Sequence, residues 1–477
     1  MKSFFEKHDL FKIVGIMVVI AVLLTWLVST SYYDAGILVS EGFTRVGLFD
    51  FSDSALNQVF YFAPVIMYVF VVAGFYKFLG SIPAYDKLKT SIAAKLKGKE
   101  KIVVALSILI FACLSGISVD YVVLFGIIPF VITILSKLSV DKITGLAATY
   151  GGVLVGILGA SYSTLIVGSL VEVLKNVNYG FDLISTVIIF TIAYLLLTYF
   201  TFSRMNKVKE SKNVDVLNDS FALVLEDNKK DKKSKKDNSV STMGLIIVLS
   251  LTFLMLILAF IGWDEAFGIY AFTDAYNWLT RAELFGQPVY SYILGSVFAV
   301  FGSWDLIDAA CVILVASLVI KLVYHIPFDK MIDEYGKGLM VIGKSVVILM
   351  MIFLVFIITM NSLTTPFFIG KIMGLGNNIG TIFASSTVST LFTPYDFYYT
   401  LALGSQVYTS FSDLNVAALA IQSAHGIVSF IAPTSIILML GLSNLSIKFS
   451  DYFKFIWKFI LATLIIVFII LAILIYV

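Results

Sequence analysis

Long apolar runs separated by short polar segments dominate this chain. Nine runs are apolar enough to cross a bilayer as helices, for which about 20 residues suffice. They lie near residues 13–31, 58–78, 143–174, 182–203, 242–262, 306–325, 345–362, 415–443 and 455–476. Two further segments, 102–136 and 379–410, each turn at a polar tip and predict hairpins that need not cross completely. The short stretch 290–301 predicts an interfacial or re-entrant piece.

Each half of the chain contains one hairpin followed by one imperfect apolar segment. Residues 111–168 and 383–440 align without a gap at a constant offset of 272 positions, although their identity is near the chance level. Both contain a cluster of small hydroxyl residues, an Asp loop and a long apolar segment broken by Gly, Ser, Thr or Pro. Interrupted segments at corresponding places in two halves indicate the binding site of a secondary transporter.

The basic residues of the short loops predict how the chain is oriented in the membrane. Three lysines precede the first helix, six lie between 87 and 101, and ten basic residues lie in 204–240, whereas 263–289 is net acidic. Basic loops face the cytoplasm, so the N-terminus and the 204–240 segment are predicted to be cytoplasmic and the C-terminus external. The two repeats then run in opposite directions across the membrane and are inverted.

These features divide the chain into two halves. The first, 1–203, contains the first repeat (58–203), and the second, 241–477, contains the second repeat (345–477). Between them, 204–240 mixes Lys with Asp and has almost no aromatic residues, so it cannot bury enough surface to fold. We interpret it as a solvated connector whose basic cluster 229–236 can lie on anionic headgroups.

Composition and motifs argue against a nucleic-acid-binding protein, a metalloprotein and an enzyme. The chain is 59% hydrophobic and 13% charged, with a mean hydropathy of +0.97. Its net charge of +2 is too small to indicate a nucleic-acid-binding protein. Cys113 and Cys311 lie in apolar stretches, and the three histidines have no ligand spacing, so we expect neither a disulfide framework nor a metal centre. No GxxxxGK[ST] occurs near the glycines at 151–159, HExxH and GxSxG are absent from the sequence, and an enzyme is not expected. The apolar run after Lys12 is interpreted as an uncleaved first helix rather than a signal peptide.

Four clusters of small hydroxyl residues at helix breaks are the candidate substrate and ion site. They comprise Ser115, Gly116 and Ser118; Ser161, Ser163 and Thr164; Ser386, Thr387 and Ser389; and Pro433, Thr434 and Ser435. Freed carbonyls and hydroxyl oxygens suit Na⁺, which we place at Ser163 and Ser435, and half-helix N-termini suit an anionic group. The alternative is that these residues let helices pack closely or bond their own carbonyls. The spacing of Gly152 and Gly156 predicts such a packing contact.

Three ionisable residues inside apolar segments are further candidates. Asp120 lies just past the first tip and Asp396 in the second hairpin, and an intramembrane carboxylate is costly enough to suggest function. His425 is interpreted either as a proton site or as a hydrogen-bonded core residue. Asp141 and Asp413 precede the broken segments, where helix N-capping explains them.

Three stretches resemble a known group of permeases. GISVDYVVLFGIIPFVITIL and DKITGLAATYGGVLVGILGASYST are similar to the first repeat of the YfcC-like permeases, of the C4-dicarboxylate anaerobic carrier type. AIQSAHGIVSFIAPTSIILMLGLSNLSIKFSDYFKFIW is similar to the end of their second repeat. The resemblance extends to the wider ion transporter superfamily with the AbgT transporters, and it implies nine helices plus two hairpins. That pattern usually has an acid where His425 stands and an Asn within the equivalents of Ser161 to Thr164 and of Ser429.

Together these observations predict an all-α integral membrane protein of about nine transmembrane helices plus two re-entrant hairpins. The expected function is an ion-coupled carrier of a small amino acid or carboxylate, and the resemblance implies either basic amino acid (arginine/ornithine) exchange or C4-dicarboxylate or peptide-like transport. A channel would favour a continuous polar pore and is the less favoured alternative. We expect no cofactor beyond Na⁺ or H⁺ as coupling ion. The expected partners are a small-molecule substrate and the lipid bilayer. A homodimer is a further possibility that the sequence does not decide.

Overall fold

The computed structural model describes residues 9–34, 36–117, 121–210, 241–283, 285–288, 292–293, 299–392, 397–436, 439 and 447–476. Most of these residues are helical. The helices are α1 (Asp9–Leu27), α2 (Leu48–Tyr61), α3 (Ala63–Gly80), α4 (Pro83–Leu96), α5 (Glu100–Ile117), α6 (Ile128–Lys137), α7 (Lys142–Leu158), α8 (Thr164–Leu174), α9 (Leu183–Glu210), α10 (Met243–Leu258), α11 (Trp263–Phe267), α12 (Ala271–Arg281), α13 (Leu306–Val323), α14 (Phe328–Ser362), α15 (Thr364–Met373), α16 (Ile379–Phe392), α17 (Phe397–Ala402), α18 (Ser405–Tyr408), α19 (Leu414–Ser429) and α20 (Phe449–Tyr476). The strands are β1 (Ser31–Asp34) and β2 (Ile37–Ser40), which pair antiparallel.

The helices confirm the predicted class of integral membrane protein. Among the described residues, α1, α3, α5, α9, α13, α14 and α20 are long and apolar enough to cross a bilayer, and α6, α7, α8, α10, α16 and α19 are shorter apolar helices. Each predicted span coincides with one of these helices or, for the two interrupted spans, with helices on either side of a break. The molecule is therefore a multi-span membrane protein.

Several polar elements were not predicted, because hydropathy detects only what lies in lipid. They are the short β1–β2 hairpin and the helices α2, α4 and α12. The short helix α15 was not predicted either, although it is largely apolar and half of its residues are buried. Helix α14 also begins at Phe328, well before the predicted start of its span at 345. Its added turns are polar and include the Glu334–Lys337 ion pair at 2.7 Å, so the helix continues out of the apolar layer into water.

Both hairpins return to the side from which they start. After α5, the chain comes back through a 3-10 turn (Val123–Gly126) and α6, where Lys137 pairs with Asp86 of α4 at 3.1 Å. In the second hairpin, Asn377 precedes α16 and its side-chain amide donates to the carbonyl of Ser410 after α18, at 3.3 Å. The predicted re-entrant course of 102–136 and 379–410 is therefore confirmed at the base of each hairpin.

Equivalent helices of the two repeats run in opposite directions. The helix pair α3 and α14 packs antiparallel: Phe62, just before α3, stacks on Phe353 at 3.7 Å between ring centroids, and Gly338 lies against Ala73 near the other end of α3. The end of α9 lies beside the start of α20, with the Arg204 guanidinium 5.9 Å from the centre of the Phe455 ring. Antiparallel equivalents are what an inverted repeat requires.

The gap-free alignment of the two repeats is correct for the interrupted segments and wrong for the hairpins. Asp141 and Asp413, which are 272 positions apart, both cap the helix that follows. In the first repeat Ile108 contacts Gly152, 44 positions later, whereas in the second Ser386 bonds Ile421, only 35 positions later. The second hairpin is therefore nine residues shorter on its return path, where the four-residue α18 replaces the ten-residue α6.

Candidate functional site

The first interrupted helix has its break between α7 and α8. Helix α7 widens into a π turn at Ala147–Gly151 and ends at Leu158, and α8 begins with another π turn, Thr164–Gly168. Such turns often occur at functional sites, because they expose backbone groups. Ser163 caps the second half, since its hydroxyl accepts from the backbone N–H of Ile166 at 3.4 Å.

The end of the first hairpin arm lies directly against this break. The backbone N–H of Ser161 donates to the carbonyl of Gly116 at 3.1 Å, and Gly116 also contacts the backbone of Gly156. Ser115 is buried in the same contact. Three predicted site residues, Ser115, Gly116 and Ser161, therefore meet at one place. Ser118 and Asp120 lie outside the described residues.

The second interrupted helix has a similar break with a different cap. Helix α19 ends at Ser429, and a further helical turn begins at Pro433, the first helical position that proline favours. Thr434 and Ser435 follow within that turn, and both are buried. The break that was predicted at Pro433 therefore lies just before it, because proline here starts a helical turn rather than interrupting one.

The hydroxyl cluster of the second hairpin is not at its tip, contrary to the sequence-based expectation. Ser386, Thr387 and Ser389 lie inside the continuous helix α16, and Asp396 lies outside the described residues. The reason is that their hydroxyls bond carbonyls without breaking the helix. Thr387 donates to Phe383 one turn earlier at 2.9 Å, whereas Ser386 reaches across to the carbonyl of Ile421 in α19 at 3.2 Å.

His425 has the contacts of a core residue. It is buried, its Nδ1 lies 3.2 Å from the hydroxyl of Thr390 on α16, and its ring packs on Phe397 at 4.4 Å between ring centroids. These contacts join α19 to the second hairpin. Of the two interpretations of His425, the hydrogen-bonded core residue is the one that this geometry matches.

Gln422, which the sequence analysis did not single out, connects the two interrupted helices. Its side-chain amide donates to the carbonyls of Leu158 and Ala160 at the first break, at 3.2 and 2.8 Å. The side chain is fully buried, and its Oε1 has no partner among the described residues. The residue 272 positions earlier is Tyr150, whose buried hydroxyl also lacks a described partner. A polar residue at this position in both repeats was the signal that could have found it.

An acidic cavity of about 570 Å³ opens beside the second half of the first interrupted helix. Thr164 lies in its wall together with Glu172 and with Glu265 of α11. We call it the acidic vestibule. Burial, followed by the negative charge of Glu265, raises the pKa of Tyr179, so this wall residue keeps its hydroxyl proton at neutral pH. The two glutamates come from distant segments, and neither was a candidate from the sequence.

At the first break, three main-chain carbonyls accept hydrogen bonds from other parts of the protein. Gln422 donates hydrogen bonds to the carbonyls of Leu158 and Ala160. The Gly180 N–H donates to the carbonyl of Ser161 at 3.0 Å. Across the described ranges, no group of three or more His, Cys, Asp and Glu residues is arranged to hold a metal ion. Na⁺ at Ser163 and Ser435 remains a prediction.

Comparison with known proteins gives a match to one family model in sequence and matches to several solved structures, among them the following two. No curated protein matches the chain. The YdaH transporter of Alcanivorax borkumensis has 10% identity and a TM-score of 0.42, covering 97% of each chain. MtrF of Neisseria gonorrhoeae, described within a class of antimetabolite efflux pumps, has 12% identity and a TM-score of 0.37, covering 96% of this chain and 93% of that one.

The family comparison concerns the end of the second repeat. Residues 412–476, which contain α19 and α20, match the family model described as the C4-dicarboxylate anaerobic carrier. This segment begins just before the Asp413 cap and includes Gln422 and the second break. Over these residues, the resemblance to the C4-dicarboxylate anaerobic carriers that the sequence suggested is confirmed.

Proposed function

We propose that this protein is a secondary active transporter of the cytoplasmic membrane, which moves a small solute through a site between α7 and α19. The observation that carries the proposal is the bridge from Gln422 to the carbonyls of Leu158 and Ala160. Through it, the middle of α19 contacts the break of the interrupted helix from the inverted repeat. Inverted repeats of this kind expose a central site alternately to each side by rocking against each other.

For the substrate we propose a small amino acid with a positively charged side chain, such as arginine or ornithine. Glu172 and Glu265 give the acidic vestibule two negative charges, and its lining contains no basic residue within the described part of the chain. A cavity with charge of one sign concentrates ions of the opposite sign. We further propose that Na⁺ or H⁺, or a second amino acid in exchange, drives the movement.

The second candidate is a carrier of C4-dicarboxylates. It is favoured by the family match of residues 412–476, whose description names that substrate class. The half-helix that begins at Thr164 has its N-terminus at the break, and helix N-termini attract carboxylates. The two candidates differ in the sign of the charge that the vestibule must admit.

Counterflow in liposomes distinguishes these candidates and also tests for a channel. The purified protein is reconstituted with unlabelled arginine, ornithine or succinate inside, and labelled arginine or succinate is added outside. We expect internal arginine or ornithine to accelerate uptake of labelled arginine several-fold. If internal succinate alone accelerates uptake, the protein carries dicarboxylates rather than basic amino acids. Uptake that does not respond to any internal solute would indicate a channel.

Charge-neutralising variants test the role of the vestibule. Glu172→Gln combined with Glu265→Gln should raise the KM for arginine about tenfold, the effect of removing about 1.4 kcal/mol of attraction. Asp274→Asn combined with Glu283→Gln is the matched control, because these two exposed acids are not among the residues that line the vestibule. An equal effect of the control would mean that general surface charge, rather than the vestibule, attracts the substrate.

A further inference from the structure

A second cavity, of about 690 Å³, lies at the opposite end of α9 from the acidic vestibule, between the end of α9 and the start of α20. We call it the basic cleft. Its basic lining residues are Lys142, Arg204, Lys207, Lys448, Lys454 and Lys458. Among the described residues, Asp451 is the one acid that lines the cleft. Lys207, Lys448 and Lys458 have no carboxylate partner among the described residues, so the cleft has a large excess of positive charge.

The basic cleft lies at the depth of lipid headgroups. The two flanking spans, Leu183–Lys209 and Phe449–Ile475, end and begin at the cleft. Tyr199 and Trp457 are 66% and 43% exposed close to it, as expected of aromatic residues at a membrane–water boundary. The distribution of lysines assigns this side to the cytoplasm, where bilayers present anionic headgroups.

We propose that the basic cleft binds the phosphate headgroup of an anionic glycerophospholipid from the cytoplasmic leaflet. Basic pockets between transmembrane helices on this side suit such headgroups. Arg204 can offer paired N–H donors to a phosphate, although its Nε is engaged by Asp141 at 2.8 Å. The bound lipid would screen the repulsion among the six basic residues and hold α9 of the first repeat against α20 of the second.

A lipid suits the cleft better than a soluble anion because an apolar surface continues from it. Leu195 lies one turn from Tyr199 on α9, and Leu461 and Ile465 follow Lys458 on α20. All three are about half exposed. They form tracks for acyl chains that lead from the cationic cleft toward the bilayer centre.

Thermal unfolding of the full-length protein in detergent, with added lipid, tests the proposal. Phosphatidylglycerol or cardiolipin should raise the unfolding midpoint of the wild type, whereas phosphatidylcholine should not. Lys448→Gln combined with Lys458→Gln should weaken the apparent affinity for phosphatidylglycerol roughly tenfold to thirtyfold, since each charge contributes about 1 kcal/mol. The α4 control removes the same charge elsewhere, with Lys95→Gln in the last turn of α4 and Lys97→Gln directly after it, and should bind as the wild type does.

Two results would overturn the inference. If millimolar inorganic phosphate stabilises the protein as well as the lipid does, the cleft binds a soluble anion. If the cleft variant and the α4 control lose affinity equally, the lipid acts on the surface as a whole. Native mass spectrometry provides a second readout that does not depend on unfolding: lipid adducts should persist on the control and disappear from the cleft variant.

Discussion

Gln422 holds two main-chain carbonyls of the opposite repeat with one side-chain amide. Those carbonyls, of Leu158 and Ala160, lie where α7 stops, so the helix itself supplies no donor for them. Inside a membrane protein a backbone carbonyl without a partner costs several kcal/mol, and irregular backbone persists only where protein or water satisfies it. A single residue of α19 therefore stabilises the break in α7.

Replacing Gln422 should damage transport and stability together. Gln422→Leu keeps the volume but leaves both carbonyls without the donor, at about 1–3 kcal/mol for each buried group. We expect a lower unfolding midpoint and at least a tenfold loss of uptake in liposomes, measured on purified protein. Ser429→Ala is the control on the same helix, because its hydroxyl donates to the carbonyl of His425 within α19 and not to the first interrupted helix as far as the structure describes it. Normal uptake by Gln422→Leu would remove the bridge from the proposed mechanism.

Asp141 and Asp413 occupy equivalent capping positions in the two repeats but differ in their further interactions. Both accept hydrogen bonds from the first turn of the helix that follows, as the sequence predicted. Asp141 is also buried and bonds the Arg204 guanidinium through both oxygens, at 2.8 and 3.0 Å. Asp413 is exposed and has no ion pair among the described residues.

Alanine at these two positions should therefore have unequal effects. Asp413→Ala loses a cap and should cost about 1 kcal/mol. Asp141→Ala also leaves Arg204 without its partner, and because Arg204 is partly exposed we expect a total on the order of 2–3 kcal/mol rather than the full cost for a buried pair. Chemical or thermal unfolding of the two variants side by side measures the difference. Equal destabilisation would mean that the ion pair adds nothing to the cap.

At the scale of elements, glycines allow the first hairpin arm to touch the interrupted helix. A Cβ on Gly156 would lie 2.3 Å from the carbonyl oxygen of Ala112, and one on Gly152 would lie 2.7 Å from that of Ile108. This is the close small-residue contact that their four-residue spacing predicted. It places the end of α5 against the break.

Adding one methyl group at this contact should move the hairpin. Gly156→Ala forces α5 away from α7, and overpacking of this kind costs about 1–3 kcal/mol. We expect reduced transport and a lower unfolding midpoint. Gly343→Ala on α14 is the matched control, because its Cβ would meet nothing within 4 Å. If both variants behave as the wild type does, the hairpin tolerates displacement and the close contact is not needed.

At the scale of the whole molecule, each interrupted helix packs against the hairpin of its own repeat. The two interrupted helices contact each other at the centre. Helix α5 packs on α7, α16 packs on α19, and α7 contacts α19. The acidic vestibule and the basic cleft lie at opposite ends of α9, so the molecule presents negative charge on one side and positive charge on the other. This polarity agrees with the orientation predicted from the loop lysines.

Cysteine labelling in intact cells tests that orientation. In a background with Cys113 and Cys311 replaced by Ala, Asn178→Cys before α9 and Asn206→Cys near its end introduce the same change at two exposed asparagines. A membrane-impermeant maleimide added outside should label position 178 only, and position 206 should react after the cells are opened. The reverse pattern would place the C-terminus inside and invert every side assignment made for the vestibule and the cleft.

The sequence by itself determined the features that depend on local chemistry. Apolar length set the spans, because a helix in lipid must be about as long as the apolar layer is thick. The caps at Asp141 and Asp413, the Gly152–Gly156 contact and the two breaks follow from residues within one or two helical turns of each other. The inversion followed from lysine counts, since charge acts on each loop separately.

Only the tertiary structure decided which distant groups meet. Serines and threonines can bond their own helix, so their pattern did not show that Ser386 and Ser389 lie inside α16 rather than at a tip. The partners of Gln422 lie more than 260 positions away, and Glu172 and Glu265 come from opposite halves of the chain. The local sequence determines where a helix breaks. The hydrogen-bond donors that satisfy the broken backbone, and the charges near it, come from the other helices that pack beside it.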